Sequence, residues 1–327
     1  MEHRRLGKTR YEISAIGFGA WAIGADWGSV DDSDSLAALH AAADAGVNFI
    51  DTADVYGDGR SERLIGRFLK ERSGERIYVA TKMGRRVEQK PQNYTPEAFV
   101  AWTARSRENL GLDTLDLVQL HCPPTDVYYQ PELFDACDQL VADGAISHYG
   151  VSVEKVEEAI KAMQYPGVAS VQIIFNMVRQ RPADRFLAEA AAADVGVLAR
   201  VPLASGLLTG KYDRTSTFAA DDHRNYNRHG AAFDVGETFA GLDYETGLEF
   251  VAAIRELEPE GATTAQLALR WILMHEGVTA AIPGAKSPAQ ARANAAATDL
   301  PPLPDAVMAR VQELYDRYAR DLVHQRW

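Results

Sequence analysis

Cysteine is scarce in this chain: two occur in 327 residues, Cys122 and Cys137. Two isolated thiols can build neither a disulfide framework nor a thiolate metal site, and such usage fits a reducing compartment. Long apolar runs are missing too. No window approaches the roughly 18 uninterrupted apolar residues of a membrane span, and the charged start from Met1 to Tyr11 lacks the apolar centre of a secretory leader. The expectation is a cytoplasmic protein with no membrane partner. Positive charge is also short, since 34 Lys and Arg against 46 Asp and Glu leave a net charge of −12, with no block of cations on one stretch. Phosphate backbones repel such a chain, so nucleic acid is not an expected partner. His-Glu-x-x-His and paired-cysteine spacings are absent, and no metal site is expected.

What is present is a rhythm. Short apolar stretches ending in polar residues alternate with longer Ala- and Leu-rich stretches of helical period. The predicted strands are Ala15–Gly19, Asn48–Asp51, Ile77–Lys82, Leu115–His121, Tyr149–Ser152, Val171–Asn176, Val197–Leu203 and Thr279–Pro283. Between them the period predicts helices over Ser33–Ala45, Ser61–Lys70, Pro96–Leu110, Pro131–Ala142, Lys155–Met163, Asp184–Ala193 and Thr264–His275. Gly46, Gly111, Gly144 and Gly196 act as stops. Strand-helix-strand units force parallel pairing with right-handed crossovers, and eight of them close into a (β/α)8 TIM barrel.

The competing architecture is a doubly wound open sheet, whose mark is a glycine-rich turn after the first strand. Gly17 to Gly24 has four residues before its last glycine where that turn needs two, and Gly206 to Tyr212 misses the P-loop spacing. The barrel is therefore preferred, as one domain over 1–327. Two irregular parts stand out: a loop at about 205–245, long enough to be a lid or binding loop, and a C-terminal helix and tail at about 301–327.

Three predicted strands end in an ionisable residue, Asp51, Lys82 and His121, and Tyr56 follows Asp51 by five residues. In a parallel barrel all strand C-termini open on one face, so these four converge there. Taken singly, Asp51 fits a loop cap, Lys82 a solvated strand end, His121 a satisfied core histidine and Tyr56 an ordinary loop aromatic. Their joint placement favours chemistry. A tyrosine titrates near 10 and needs a neighbouring cation if it is to exchange protons near neutrality, a part suited to Lys82. Asp51 would hold that lysine, and His121 could orient a carbonyl oxygen as a neutral donor. Such a group protonates a carbonyl oxygen while hydride arrives from a cofactor.

The sequence resembles the aldo-keto reductase superfamily. The matching residues are Asp51-Thr-Ala-Asp-Val-Tyr56-Gly57 with Ser61, Glu62 and Gly66, then Ala80-Thr81-Lys82 and Leu120-His121-Cys-Pro123. Gly150-Val-Ser152, Gln172, Phe175-Asn176, Pro202 through Tyr212, and Ile282-Pro283-Gly284 through Asn294 follow in family order over nearly the whole chain. The resemblance implies carbonyl reduction with NADPH, NADH being the less favoured cofactor, and Tyr56 as general acid beside Asp51, Lys82 and His121. It implies that Ser152 and Gln172 hold the nicotinamide carboxamide and that Pro202, Leu203, Gly206 and Lys211 border the pyrophosphate. Lys286, Ser287, Gln290 and Asn294 would embrace the adenosine and its 2′-phosphate, although Ser287 before Pro288 also reads as a plain helix start. Gly19, Trp21 and Asp51 join the cofactor set.

Two positions depart from the family pattern. Val153 stands where many members have Asn. Arg200 stands where an aromatic stacks on the nicotinamide, which puts a planar cation there, able to stack or to recruit an anionic substrate. The expected substrate pocket comprises Trp21, Trp27, Tyr56, His121, Tyr128, and Phe175, with Tyr129 and the 205–245 loop nearby, for a small-molecule carbonyl compound. Alternatives within the resemblance are an alcohol or sugar dehydrogenase and a cofactor-sensing barrel without turnover.

Overall fold

The computed structural model of the protein describes residues 1–24 and 31–327. Its centre is a parallel sheet of eight strands in chain order: β3 (Phe18–Gly19), β4 (Phe49–Asp51), β5 (Tyr78–Met83), β6 (Leu115–His121), β7 (Ile146–Ser152), β8 (Val168–Ile174), β9 (Gly196–Arg200) and β10 (Ala280–Ala281). Parallel bridges from Ile16 to Ala281 and from Gly19 to Gly284 join the two ends and close the (β/α)8 barrel. At that seam Gly19 donates its N–H to the Pro283 carbonyl at 3.0 Å. A Cβ on Gly19 would lie 2.7 Å from the Ile282 carbonyl oxygen, so the seam requires glycine.

Helices fill the connections and cover the outside. The helix over Pro96–Leu110 illustrates why they form where they do: the Thr95 side chain caps it by accepting from the Ala98 N–H, Pro96 presets its first turn, and Gly111 ends it at φ +67°. Its Phe99, Thr103, Ser106 and Leu110 recur at helical spacing and are buried. The expected bounds at β6 and in the helices Pro96–Leu110 and Pro131–Ala142 match those observed. The last strand shrinks to two residues, and a helix over Tyr244–Arg255 begins inside the stretch read as irregular. No helix among the described residues is long and apolar enough to cross a membrane.

An antiparallel hairpin, β1 (His3–Arg5) with β2 (Glu12–Ser14), has no counterpart in the sequence reading, because three-residue strands carry too little periodicity. It supplies Leu6 and Ile13, which pack against Phe49, Ala80, Leu117, Leu198, Ala280 and Ile282. These residues plug the barrel interior toward the strand N-termini, while a larger core separates strands from helices. Period-2 alternation does the rest. Phe49 and Ala80 point inward, so two residues later Asp51 and Lys82 also point inward, and Leu117 and Leu198 place His121 and Arg200 inward in the same way. The interior is thus apolar below and ionisable above.

Candidate active site

At the C-terminal ends of the strands lies a cavity of about 470 Å³, whose lining includes Asp51, Tyr56, His121, Gln172 and Arg200. Lys82 sits directly behind this wall, 1% exposed. Its ammonium donates to Asp51 Oδ2 at 2.6 Å, to the Thr52 carbonyl at 2.8 Å and to the Tyr56 hydroxyl at 3.4 Å, which are all three of its protons. The other Asp51 oxygen accepts from Gln172 Nε2 at 2.7 Å and from Gln119 Nε2 at 3.4 Å. The pair is therefore fully bonded as well as buried, the condition under which buried charges persist.

The Tyr56 ring stands edge-on to His121 with centroids 5.9 Å apart, and Trp21 lies across it at 6.1 Å and 20°. The backbone of its loop packs against the short helix Trp21–Gly24, where a Cβ on Gly24 would come within 2.7 Å of Tyr56 Cβ. The charge environment corrects one expectation. Burial pushes the Tyr56 phenol above its ordinary value, and although Lys82 pulls it down, burial wins. Tyr56 is a neutral hydroxyl held by a cation, not an acidified phenol. Burial also opposes the Lys82 charge, but Asp51 and Tyr56 outweigh it and keep the ammonium raised. Burial, then Arg85, Lys82 and Arg200, hold His121 well below the usual imidazole range, so it is neutral near pH 7. Buried Cys122 is pushed up to about 12 and remains a thiol, unable to act as a nucleophile.

Another part of the wall carries Gly19, Trp21, Pro202, Leu203, Gly206, Lys211, Lys286, Gln290 and Asn294, all expected from the sequence. Arg224 and Tyr212, both within the 205–245 loop expected near the pocket, also line it, although the sequence assigns neither of them to the cofactor. Arg224 comes from the 205–245 loop and is braced by Asp222 through Nε at 2.8 Å and by the Tyr212 hydroxyl. Burial lowers both Lys211 and Lys286, and repulsion from Arg224 lowers them further. Three crowded cations with one braced carboxylate form a surface suited to a polyanion. Ser287 stands outside the lining and caps the helix Pro288–Ala295, its hydroxyl accepting from the Gln290 N–H at 3.3 Å. Ser152 is fully buried behind Gln172, 3.5 Å from the Gln172 amide oxygen.

The expected substrate aromatics divide. Trp21, Tyr56 and His121 line the cavity, and Trp27 lies outside the described residues. Tyr128 and Phe175 do not line it. Tyr128 is buried in the turn after β6, with its hydroxyl on the Ser152 carbonyl at 3.3 Å. Phe175 is an odd number of residues beyond inward-facing Gln172 and turns to the helix side, where it packs on Trp271 at 5.3 Å and His275 at 4.9 Å. Tyr129 is 64% exposed and lies beneath the Lys161 ammonium at 5.1 Å.

Arg200 also differs from expectation. It lines the cavity, but its charge is matched: Nη2 donates to Glu154 Oε2 at 2.9 Å and to the Val153 carbonyl at 3.0 Å, and Nη1 faces Glu237 at 3.6 Å. Arg85 bridges the same two carboxylates at 3.0 and 2.8 Å. An unopposed cation that recruits an anion is therefore absent at this position. Glu237, Glu154 and Arg85 come from three different loops, with no spacing in the chain to announce them. The 205–245 segment folds into short helical turns, among them Val235–Glu237, and it delivers Lys211, Arg224 and Glu237 to the cavity.

Residues 15–316 match the sequence profile described as the Aldo/keto reductase family. The chain is similar to the aldo-keto reductase YhdN of Bacillus subtilis (strain 168), at 31% identity over 297 residues, covering 90% of this chain and 87% of that protein. Among solved structures it resembles a glycerol dehydrogenase from Gluconobacter oxydans (TM-score 0.79, 29% identity, 97% of this chain and 96% of that one). It also resembles an aldo-keto reductase from Klebsiella pneumoniae in complex with NADPH (TM-score 0.71, 25% identity, 96% and 95% covered).

Proposed function

Because the chain belongs to the aldo/keto reductase family of NAD(P)-dependent oxidoreductases, we propose that it reduces an aldehyde or ketone to the alcohol with NADPH and that Tyr56 is the proton donor. The observation that carries this reading is the Lys82 ammonium bonded at once to Asp51, Thr52 and the Tyr56 hydroxyl, beside a cavity whose wall elsewhere gathers Lys211, Arg224 and Lys286. The fit to a phosphorylated dinucleotide rests on those three cations, whose mutual repulsion a bound polyanion relieves. Lys286, Gln290 and Asn294 would hold the adenosine side, Lys211 and Arg224 the phosphates, and Gln172 the nicotinamide. When bound, the cofactor supplies the hydride.

The residues of this chain do the proton work. The Tyr56 hydroxyl points from Lys82 toward the cavity and gives its proton to the carbonyl oxygen as negative charge gathers there. Its raised pKa keeps the proton in place until that charge develops, which favours the acid role over a standing phenolate base. Lys82 stabilises the phenolate left behind, and Asp51 keeps Lys82 charged. Neutral His121, standing edge-on to Tyr56, donates to the same oxygen without adding a second charge. The whole 1–327 stretch works as one barrel domain in this reading. Replacing Tyr56 by Phe removes only the hydroxyl, and aldehyde-dependent NADPH oxidation should fall by about 10² to 10⁴. NADPH binding, followed by fluorescence titration with NADH in parallel, should persist. Wild-type turnover in the variant would defeat the assignment.

A further inference from the structure

Residues 234–241 carry Glu237 to the cavity wall, and their backbone is strained. Phe239 and Ala240 stand at φ +50° and +57° and Gly241 at +83°, so two residues with side chains lie in the left-handed region in succession. Such conformations persist only where surrounding contacts impose them. The segment consists of two short turns, Val235–Glu237 and Phe239–Gly241, without a strand partner. From the cavity side, the Ser205 hydroxyl donates to the Glu237 carbonyl at 2.9 Å and accepts from the Phe239 N–H at 3.2 Å. From the outer side, the Trp327 indole lies across it. Trp327 is 5% exposed, its Nε1 donates to Asp234 Oδ1 at 3.0 Å, and a Cβ on Gly236 or Gly241 would come within 3.0 or 2.5 Å of its ring. The Arg179 and Arg326 guanidinium carbons stand 3.8 and 4.1 Å from the ring centroid. Trp327 itself is not part of the cavity lining.

What this contact holds in place is a charge. Glu237 faces Arg85 at 2.8 Å and Arg200 at 3.6 Å, and Glu154 faces the same two at 3.0 and 2.9 Å, so two carboxylates match two guanidinium groups. Behind them Arg179 and Asp234 add one charge of each sign, and deeper in the barrel Lys82 is matched by Asp51. Without Glu237 the wall holds one guanidinium in excess. We propose that Trp327 is a specificity-determining positioning residue: by clamping residues 234–241 it keeps Glu237 beside Arg85 and Arg200, and so makes the cavity select uncharged over anionic carbonyl substrates. The proposal rests on the reductase reading and specifies its substrate by charge. Released from the indole, the segment relaxes out of its left-handed turn and takes the carboxylate away from the two arginines. The unmatched guanidinium then attracts a substrate carboxylate through the low-dielectric cavity. Trp327 thus acts on specificity from outside the lining, through Glu237.

The test is the ratio of kcat/KM for succinic semialdehyde to that for butanal, measured with NADPH in the wild type, Trp327→Ala, Glu237→Gln and the double variant. The wild type should favour butanal. Trp327→Ala should raise the ratio about tenfold, the effect of one unit charge about 10 Å away at an effective dielectric of about 20. Glu237→Gln should raise it by a similar factor, and the double variant should go no higher than Glu237→Gln, because both changes remove the same charge from the wall. Trp327→Phe, which keeps a ring on Gly236 and Gly241, should stay near the wild-type ratio. A merely structural loss lowers both aldehydes together and leaves the ratio where it was. A ratio unmoved in Trp327→Ala overturns the clamp and leaves the reductase reading standing. So does a wild type that favours succinic semialdehyde, or a double variant well above Glu237→Gln. Failure of the wild type to turn over either aldehyde overturns the reductase reading and the clamp with it. If Trp327→Ala does not fold, Trp327→Leu, which keeps apolar bulk but no indole N–H, decides the matter by the same ratio.

Discussion

Lys82→Met probes the centre of the site, because it removes a charge that is 1% exposed and leaves its partner in place. Asp51 keeps its bonds from Gln172 at 2.7 Å and Gln119 at 3.4 Å but loses the 2.6 Å contact that balances its charge. Breaking a buried ion pair from one side costs about 3–5 kcal/mol, because the orphaned charge stays buried. The entropy of unfolding is roughly 2.1 cal/mol/K per residue, or about 0.7 kcal/mol/K for 327 residues. The expected fall in Tm is then about 4–7 °C. The assay is calorimetry at pH 7 on Lys82→Met, Asp51→Asn and the double variant. Replacing both charges removes the orphan, so the double variant should be more stable than Lys82→Met alone, with a coupling of about 1–3 kcal/mol. Activity should fall in all three. A Tm shift below about 1 °C in Lys82→Met, or a double variant no more stable than that single, would show that the ion pair is not what holds this site together.

Three further outcomes follow from other parts of the molecule. Asp54 is 1% exposed, and burial, then the neighbouring Glu62 carboxylate, push it up to about 7. The folded state therefore binds a proton that the unfolded state releases between about pH 4 and 7, so its contribution to stability falls as pH rises through that window and stays lost above it. Asp54→Asn should raise Tm at pH 8 more than at pH 5, by an energy of about 2.6 kcal/mol, and an equal shift at both pH values would contradict this. Lys286→Met should weaken NADPH binding about tenfold or more, more than it weakens NADH binding, through loss of a charge-assisted contact; titrations showing equal losses for the two cofactors would remove Lys286 from 2′-phosphate recognition. Trp327 is 5% exposed, donates to Asp234 Oδ1 at 3.0 Å and stacks under Arg179 at 3.8 Å. Trp327→Ala should cost about 3–5 kcal/mol and expose residues 234–241 to amide exchange, whereas unchanged protection there would show that Trp327 does not hold this segment.

Much of the site could be read along the chain because barrel geometry turns sequence position into spatial position. A residue at the end of a parallel strand has one face to open onto, so Asp51, Lys82 and His121 meet whatever the intervening loops do. Extending the same alternation from Leu198 to Arg200 would have shown that Arg200 points inward, and from Gln172 to Phe175 that Phe175 points away. Those two signals were present in the residues. No such rule reaches Glu237, Arg224, Glu154 or Arg85, which lie in connections of no fixed period: Arg85 meets Glu154 and Glu237 by pairing across the cavity mouth, and Asp222 braces Arg224.

By itself the order of apolar and polar residues determined the barrel, its open face and the inward set on β4, β5 and β6, since periodicity and parallel pairing are local properties that repeat. Burial and charge balance were decided only in three dimensions. The same Lys82 that lowers the Tyr56 phenol could not be weighed against desolvation until the depth of that oxygen was known, and desolvation proved the larger effect. Arg200 reads as a bare cation in the chain and is a matched one in the fold, because its two carboxylates arrive from Glu154 and Glu237, 46 and 37 residues away in opposite directions. Electrostatic energy depends on distance and on excluded water, and neither quantity exists until the chain has folded.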